Sequence, residues 1–356
     1  MASGGSGTIF NRIDMGRLTS WGELAGRIGA TSTGNRYYVH SGTGNSGNAG
    51  KSPDDALATI DQAINKCTAS KGDVIFVMPG HAESITAAAG IDADIAGIFI
   101  IGLGNAENRP VVTFTTIDSS DLDVDAANIT FSNIVFKNDI DSQTAMIDVN
   151  AAGAVFEDCD FLEGTSKQAL IFMDLDGGAA NACDRTVVRR CYFKSVAAGA
   201  ASAIKLTEVQ DRVLIEDNII DGDFSDAGIH NPTGKVCTNL VIRRNVVRNR
   251  QTGDHAIELV SACTGEATDN RLFADTAAAV FDPGSLFCAG NGYATAIDQE
   301  SPEIIPLWPT AAVPANGSSL AAVLRDAWDG IRNGTGGTEP GTNKSIIDAL
   351  GTNGVT

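Results

Sequence analysis

Basic residues are scarce in this 356-residue chain: 25 lysines and arginines stand against 44 aspartates and glutamates, a formal charge of −19. That balance excludes a nucleic-acid backbone as a partner, because no basic face exists to release its counterions. Aromatic residues are few, at 6%. No apolar run approaches the ~18 residues of a membrane-spanning helix. The longest candidate, Ile98 to Ile101, is bounded by glycines, and no membrane association is expected. Seven cysteines (67, 159, 183, 191, 237, 263, 288) contain no CxxC pair, and there are only four histidines. Buried, reduced thiols fit that spacing better than a disulfide framework, and neither a zinc site nor any cofactor is expected. The opening Met-Ala-Ser-Gly-Gly-Ser-Gly has neither a basic region nor an apolar stretch behind it. Synthesis in a cytoplasm without a secretion signal is therefore expected. What is present suffices for a core: 43% hydrophobic against 19% charged residues, with 39 glycines.

The chain repeats with a period near 27 residues. Phe131 to Phe136 reads F-S-N-I-V-F, Phe156 to Phe161 F-E-D-C-D-F, Val188 to Phe193 V-R-R-C-Y-F. Ile215 to Ile220 reads I-E-D-N-I-I, Ile242 to Val247 I-R-R-N-V-V, and Ala267 to Leu272 A-T-D-N-R-L. The fourth positions are Ile134, Cys159, Cys191, Asn218, Asn245 and Asn270, with weaker extensions to Val77 and Ile101 upstream and to Asn291 downstream. Units this short cannot fold alone, so they must stack and share one interior. Several period-two strands per unit point to a right-handed parallel β-helix, one unit per coil. The aligned asparagines are expected to form a structural ladder, bonding between coils and tolerating left-handed backbone. The interior is expected to hold stacked aliphatic side chains.

A second column follows about a dozen residues later. Its inward residues would be Ile147, Met173, Ile204, Ile229, Ile257 and Val280, and its outward ones Asp148, Asp174, Lys205, His230, Glu258 and Phe281. Stacked strands bring outward neighbours to about 4.8 Å. Asp148 with Asp174, Lys205 with His230, and His230 with Glu258 thereby become adjacent.

The ends have their own signals. Ser52-Pro53-Asp54-Asp55 followed by Leu57, Ile60, Ala63, Ile64 and Cys67 predicts a capping helix over roughly residues 54–68. Residues 1–35 form an N-terminal arm with apolar Trp21 and Leu24, and residues 36–300 the solenoid. Prolines at 302, 306, 309 and 314 mark a linker over 301–317. Leu320, Val323, Leu324, Trp328 and Ile331 then recur at helical spacing in an α-helical appendage, 318–356. Such a single apolar face must dock on the solenoid end or on a partner.

Tyr37-Tyr38-Val39, Ser52-Pro53-Asp54, A-L-A-T-I-D-Q-A-I-N-K-C and G-D-V-I-F-V-M-P-G-H-A-E-S-I together resemble the entrance of pectin-lyase-like right-handed β-helix proteins. Ile98 to Gly104 resembles one of their coils. The likeness covers about residues 36–293 and implies the fold: all-β, a single-stranded right-handed parallel β-helix with an N-terminal capping helix. That superfamily includes pectate lyases, polygalacturonases and phage tailspike depolymerases. The polygalacturonase-type signatures Asn-Thr-Asp, Gly-His-Gly and Arg-Ile-Lys are missing from the solenoid, so no catalytic residue is carried over.

Candidates then rest on physical grounds alone. Asp148, Asp174, His230 and Glu258 could serve as paired acids and bases, or simply be a solvated outer row. Glu157, Asp158, Glu216 and Asp217 alternate with Arg189, Arg190, Arg243 and Arg244, which reads as stacked ion pairs. Asp121, Asp123 and Asp125 have the spacing of one face of a strand, and no EF-hand glycine or glutamate follows. His81 and Glu83 read as loop residues.

The same segments also resemble β-helix proteins of bacteriophage structural gene regions, and Ile331 to Ser345 reinforces the likeness. That implies a non-enzymatic virion protein, a capsid decoration or cement protein forming a homotrimer, with major capsid or tail proteins as partners. Trp21, Leu24, Leu320, Val323, Leu324, Trp328 and Ile331 would serve trimerisation or attachment. The alternative is a tail-associated spike that binds or cleaves a bacterial surface polysaccharide along the outward column.

Overall fold

Alternating Val, Ile and Phe oblige each short strand to bury every second side chain, and no single coil can do so without its neighbours. The computed structural model of the chain describes residues 34–196, 199–275 and 280–294. Three parallel sheets result. Sheet I has ten strands, from Arg36–Val39 and Val74–Val77 to Phe287–Ala289. Sheet II has nine, from Ala82–Ile85 to Gly292–Ala294. Sheet III has eight, from Ile91–Asp92 to Phe281–Asp282. The chain visits I, II and III in turn on eight successive coils. This is a right-handed parallel β-helix. None of the described helices is long and apolar enough to cross a membrane.

The interior rows run where the alternation places them. Ile147, Met173, Ile204, Ile229 and Ile257 pair in register and are fully buried. The interior is not purely aliphatic, however. Phe131 stacks on Phe156 with centroids 5.0 Å apart, and Phe136 on Phe161 at 5.3 Å. Phe161 stacks on Phe193 at 4.5 Å. A chain with few aromatics thus concentrates them in two neighbouring columns, Phe131 and Phe156 on sheet I and Phe136, Phe161 and Phe193 on sheet II, where the coil spacing matches ring stacking.

The asparagine ladder forms at the bend between sheets I and II. Asn218 Nδ2 donates to Asn245 Oδ1, Asn245 Nδ2 to Asn270 Oδ1, and Asn270 Nδ2 to Asn291 Oδ1, each at 3.0 Å. Cys191 and Cys159 continue the column, buried. The left-handed backbone belongs to the preceding residue rather than to the asparagine. Asn133, Asp158, Arg190, Asp217, Arg244 and Asp269 have φ between 53° and 58°. The asparagine side chains must point inward to bond between coils, so the tight turn falls one residue earlier.

Three other expectations need correction. The capping helix is short: a 3-10 turn spans Pro53–Asp55, and the α-helix, α1, only Ile60–Ile64. Between them Leu57 N donates to Tyr38 O at 2.8 Å and Leu57 O accepts from His40 N at 2.9 Å. With both backbone groups committed to the first strand, Leu57 cannot join a helix, and Thr59 caps a new start by accepting from Gln62 N. The apolar face itself stands, since Leu57, Ile60, Ala63 and Ile64 are buried. Upstream, Ile101 pairs with Ser132 rather than joining the ladder column; Pro110 O accepts from Val135 N where Ile134 O accepts from Asp160 N. The loop carrying the 3-10 turn Ala106–Asn108 separates sheets I and II there and displaces the register. Downstream, Phe281 pairs with Ile257 and packs on the core, so Asp282, not Phe281, continues the outward row.

Apart from Gly34 and Asn35, the N-terminal arm lies outside the described residues, as do the proline linker and the helical appendage. With them go Trp21, Leu24, Leu320, Val323, Leu324, Trp328 and Ile331.

Candidate functional site on the third sheet

The outward row of sheet III is continuous over eight coils. Strand pairing places Asp92 beside Asp123, Asp123 beside Asp148, and Asp148 beside Asp174. The row continues through Lys205, His230, Glu258 and Asp282. Each predicted neighbour pair is therefore brought together: Asp148 with Asp174, Lys205 with His230, His230 with Glu258. Sequence reasoning missed Asp92, Asp123 and Asp282 as members of the row. The signal for Asp92 and Asp123 was the same apolar-acid alternation, I-D-A-D and L-D-V-D, masked by the irregular coil lengths upstream.

The row divides into two chemically distinct halves. The first is four aspartates in line. Burial is the main cause that raises the Asp123 carboxyl to about 7, with Asp121, Asp125 and Asp92 adding repulsion. Burial likewise raises Asp148 to about 7, aided by Asp174 and Asp123. Burial also raises Asp174, while the Thr207 hydroxyl, donating to Oδ1 at 2.5 Å, and Lys205 oppose the rise. Asp92 is raised by burial and by Asp94, Asp125 and Asp61. Asp92 Oδ1 and Asp123 Oδ1 are shut from solvent and accept no hydrogen bond. Asp121, Asp123 and Asp148 each offer a carboxylate oxygen, all within 4.8 Å of one another. Asp125, expected beside Asp121 and Asp123, is replaced in that group by Asp148 from the next coil. An all-oxygen group of this kind suits a hard cation such as Ca²⁺.

The second half mixes signs. His230 Nδ1 lies 3.3 Å from Asp226 Oδ2, and Nε2 lies 4.0 Å from Glu258 Oε2. Lys205 Nζ is 3.8 Å from the same Asp226 oxygen. His255 Nδ1 is 3.8 Å from Glu258 Oε2. Burial lowers the His230 pKa, against the pull of Asp226 and Glu258. A cleft of about 440 Å³ opens beside these groups, lined by His230, Asn231, Glu258, Leu259, Ser261 and Asp282 among others.

Sheet I shows what a merely structural charged row looks like in this molecule. Arg189 Nε donates to Glu157 Oε2 at 3.0 Å and Arg243 Nε to Glu216 Oε2 at 2.8 Å. Arg190 pairs with Asp158, and Arg244 with Asp217. Sign alternates from coil to coil, as expected from sequence. The four aspartates of sheet III do not alternate, and like charges directly opposite one another destabilise a sheet.

Glu83 is not a loop residue but part of a strand, whereas His81 does precede that strand in a loop. His81 is buried against the strand Ala82–Ile85, which contains Glu83. Its Nε2 lies 3.0 Å from Glu83 Oε2, which also accepts from Ile60 N at 2.9 Å. This pair ties α1 to sheet II and is structural. All seven cysteines are free thiols.

No family model matches the sequence, and no curated protein matches it. Two solved structures resemble it in the path of the chain. A rhamnogalacturonan lyase shares 13% identity over 72% of this chain and 87% of its own, with a TM-score of 0.42. The GH136 lacto-N-biosidase from Eubacterium ramulus shares 12% over 76% of this chain, with a TM-score of 0.39. The match covers 56% of that enzyme's chain. Similarity this low brings no activity to the present chain, whose right-handed parallel β-helix rests on its own strand pairing.

Proposed function

We propose that this chain is a non-enzymatic structural component of a bacteriophage particle, a capsid decoration protein acting as a homotrimer. The observation that carries the reading is the stapling of the coils. The asparagine ladder, the phenylalanine stack and the alternating ion pairs each link successive coils along the axis. A rod joined this way keeps its shape on an exposed particle surface without help from a partner. The apolar terminal segments around Trp21 and Leu24, and from Leu320 to Ile331, supply the means of attachment and self-association. Labelled-antibody electron microscopy of the virions tests the reading. Label on the head shell is expected, label on the tail alone would replace decoration with a spike role, and its absence from purified particles would overturn both. Column light scattering is expected to give about 111 kDa for three chains of 36.9 kDa, and a stable single-chain mass would remove the trimer.

A second reading, polysaccharide binding or cleavage on sheet III, is favoured by the aspartate row. Stacked Asp148 and Asp174 set two carboxyls side by side, both raised chiefly by burial, and glycosidic cleavage uses a pair of carboxyl groups. Release of reducing or unsaturated ends from capsular polysaccharide, lost in Asp148→Asn, would establish it. A panel of such polysaccharides left uncut and unbound would exclude it.

A further inference from the structure

We propose that the outer face of sheet I, across its first three strands, is the docking surface for this chain's own N-terminal arm, seated through Trp21, Leu24 and Ile28. The inference is independent of the virion reading. It divides the two apolar terminal segments: the arm is taken up by its own solenoid, and Leu320 to Ile331 is left for partners.

An apolar cluster lies on the side of the sheet away from the core. Alternation turns Tyr37, Val39, Ile75 and Val77 inward. It turns Tyr38, Val74, Phe76, Phe99 and Ile101 outward, where Tyr38 pairs with Phe76, Phe76 with Ile101, and Val74 with Phe99. With Leu103 these form a cluster separate from the core. Val74 is 0% exposed, Phe76 4% and Ile101 1%.

Neighbours within the sheet do not produce such burial. The row of Val74 continues in register through Phe99 and Thr130 to Val155, Val187, Leu214 and Val241. Those four have a strand on either side, yet each is partly exposed. Phe287, at the end of the row, is 67% exposed. Flanking strands close off the sides of a side chain and leave its top open, so Val74 calls for a layer above it. Among the described residues, the apolar side chains packed on the cluster, Tyr38, Phe99 and Leu103, share its own face. A contiguous apolar face of this kind marks an interaction surface.

The junction between arm and solenoid names the segment that covers it. Gly34 is packed so closely that a Cβ there would fall 2.5 Å from Asp73 N. Asn35 N donates to Asp73 Oδ1 at 2.5 Å, and Asn35 O accepts from Val74 N at 2.8 Å. The arm therefore meets the solenoid beside Val74, at the margin of the cluster, whereas the last described strand, Gly292–Ala294, lies at the opposite end of the rod. The edge of the first strand is already taken, since Gly50 O accepts from Tyr38 N and Leu57 N donates to Tyr38 O, both at 2.8 Å. The outer face is what remains. Trp21, Leu24 and Ile28 recur at the spacing of one helical stripe. Such a stripe is about 10 Å long, and three paired strands are about 10 Å across.

The test is photo-cross-linking of the full chain with benzoylphenylalanine in place of Trp21. Irradiation is expected to join position 21 to the peptides carrying Val74 to Val77 or Phe99 to Leu103, in a product that keeps the single-chain mass of 36.9 kDa on a denaturing gel. The same cross-links found only at twice that mass would overturn the proposal and assign the face to a second copy's arm. Cross-links only to other peptides would overturn it as well. A second measurement combines Leu24→Ser and Ile28→Ser in one full chain. Fluorescence of an apolar dye is expected to rise severalfold, and hydrogen exchange to quicken tenfold or more at Val74 to Val77 and Phe99 to Gly102, with Leu240 to Arg243 unchanged. Unaltered dye binding and exchange would show that the arm does not cover this face.

Discussion

The buried side-chain amide of Asn218 donates to Oδ1 of Asn245, one coil further along, at 3.0 Å. The same oxygen accepts from Asn218 N, also at 3.0 Å. Asn245→Ala therefore leaves two donors of Asn218 without that acceptor, inside a core that water does not reach. A loss of about 3 kcal/mol is expected, since each buried orphan costs about 1–3 kcal/mol. Asn245→Cys should lose less, because cysteine already occupies this column at 159 and 191. Urea denaturation of the three proteins checks the order.

The aspartate row makes stability fall as pH rises. Asp123 and Asp148 titrate near 7 in the folded chain, against the ordinary carboxylate value of 3.8 when unfolded. Between those values the folded state binds more protons, so raising pH through this window destabilises it. Asp148→Asn removes one contributor. It is expected to stabilise the fold at pH 8 by on the order of 1 kcal/mol once solvent screening is allowed for, read as a higher melting temperature, and to change little below pH 4. An advantage that persists undiminished at pH 4 would show that charge is not its source.

The same repulsion predicts a response to hard cations. Asp121, Asp123 and Asp148 present three oxygens within 4.8 Å. Millimolar Ca²⁺ at pH 8 should raise the melting temperature by a few degrees through preferential binding to the folded state. Asp123→Asn should remove most of that gain. Equal gains in both proteins, or the same gain from matched NaCl, would assign the effect to general screening.

Much of this was legible in the sequence because a solenoid repeats its constraints. The alternation at Ile147-Asp148 and Met173-Asp174 fixes which side chain faces out, and coil stacking then sets the neighbours. The ladder could be read from Asn218, Asn245 and Asn270 for the same reason. What escaped depends on irregular coils. The loop around Ala106–Asn108 hid Asp92 and Asp123 from the row, and a shorter last coil moved Phe281 inward. Local helical periodicity over 54–68 was real as an apolar face. It failed as a helix because Leu57 is held by strand hydrogen bonds to Tyr38 and His40, a tertiary contact that periodicity does not encode. Asp226 and His255 escaped because their relation to His230 and Glu258 runs through side-chain reach, not through the repeat.

Glu83 shows the cost of reading a buried acid as a loop residue. Its Oε2 accepts from Ile60 N, at the start of α1, and faces His81 Nε2. His81 Nδ1 in turn accepts from Ser41 N at 3.0 Å, which places the ring proton on Nε2, directed at Glu83. One carboxylate oxygen thus joins the first-strand loop, α1 and sheet II. Glu83→Ala would orphan two buried donors at once and is expected to cost about 3 kcal/mol. Glu83→Gln retains a carbonyl acceptor of nearly the same shape and should cost about half as much. Because α1 packs against strands Arg36–Val39, Val74–Val77 and Ile91–Asp92, the damage should centre on the N-terminal coils. Hydrogen exchange should therefore show faster opening at Ile60 to Ile64 and Val74 to Val77 in Glu83→Ala, with the coils around Asn218 and Asn245 unchanged. Uniform acceleration along the whole rod would show instead that the solenoid unfolds as one unit and that this pair is not a local clamp.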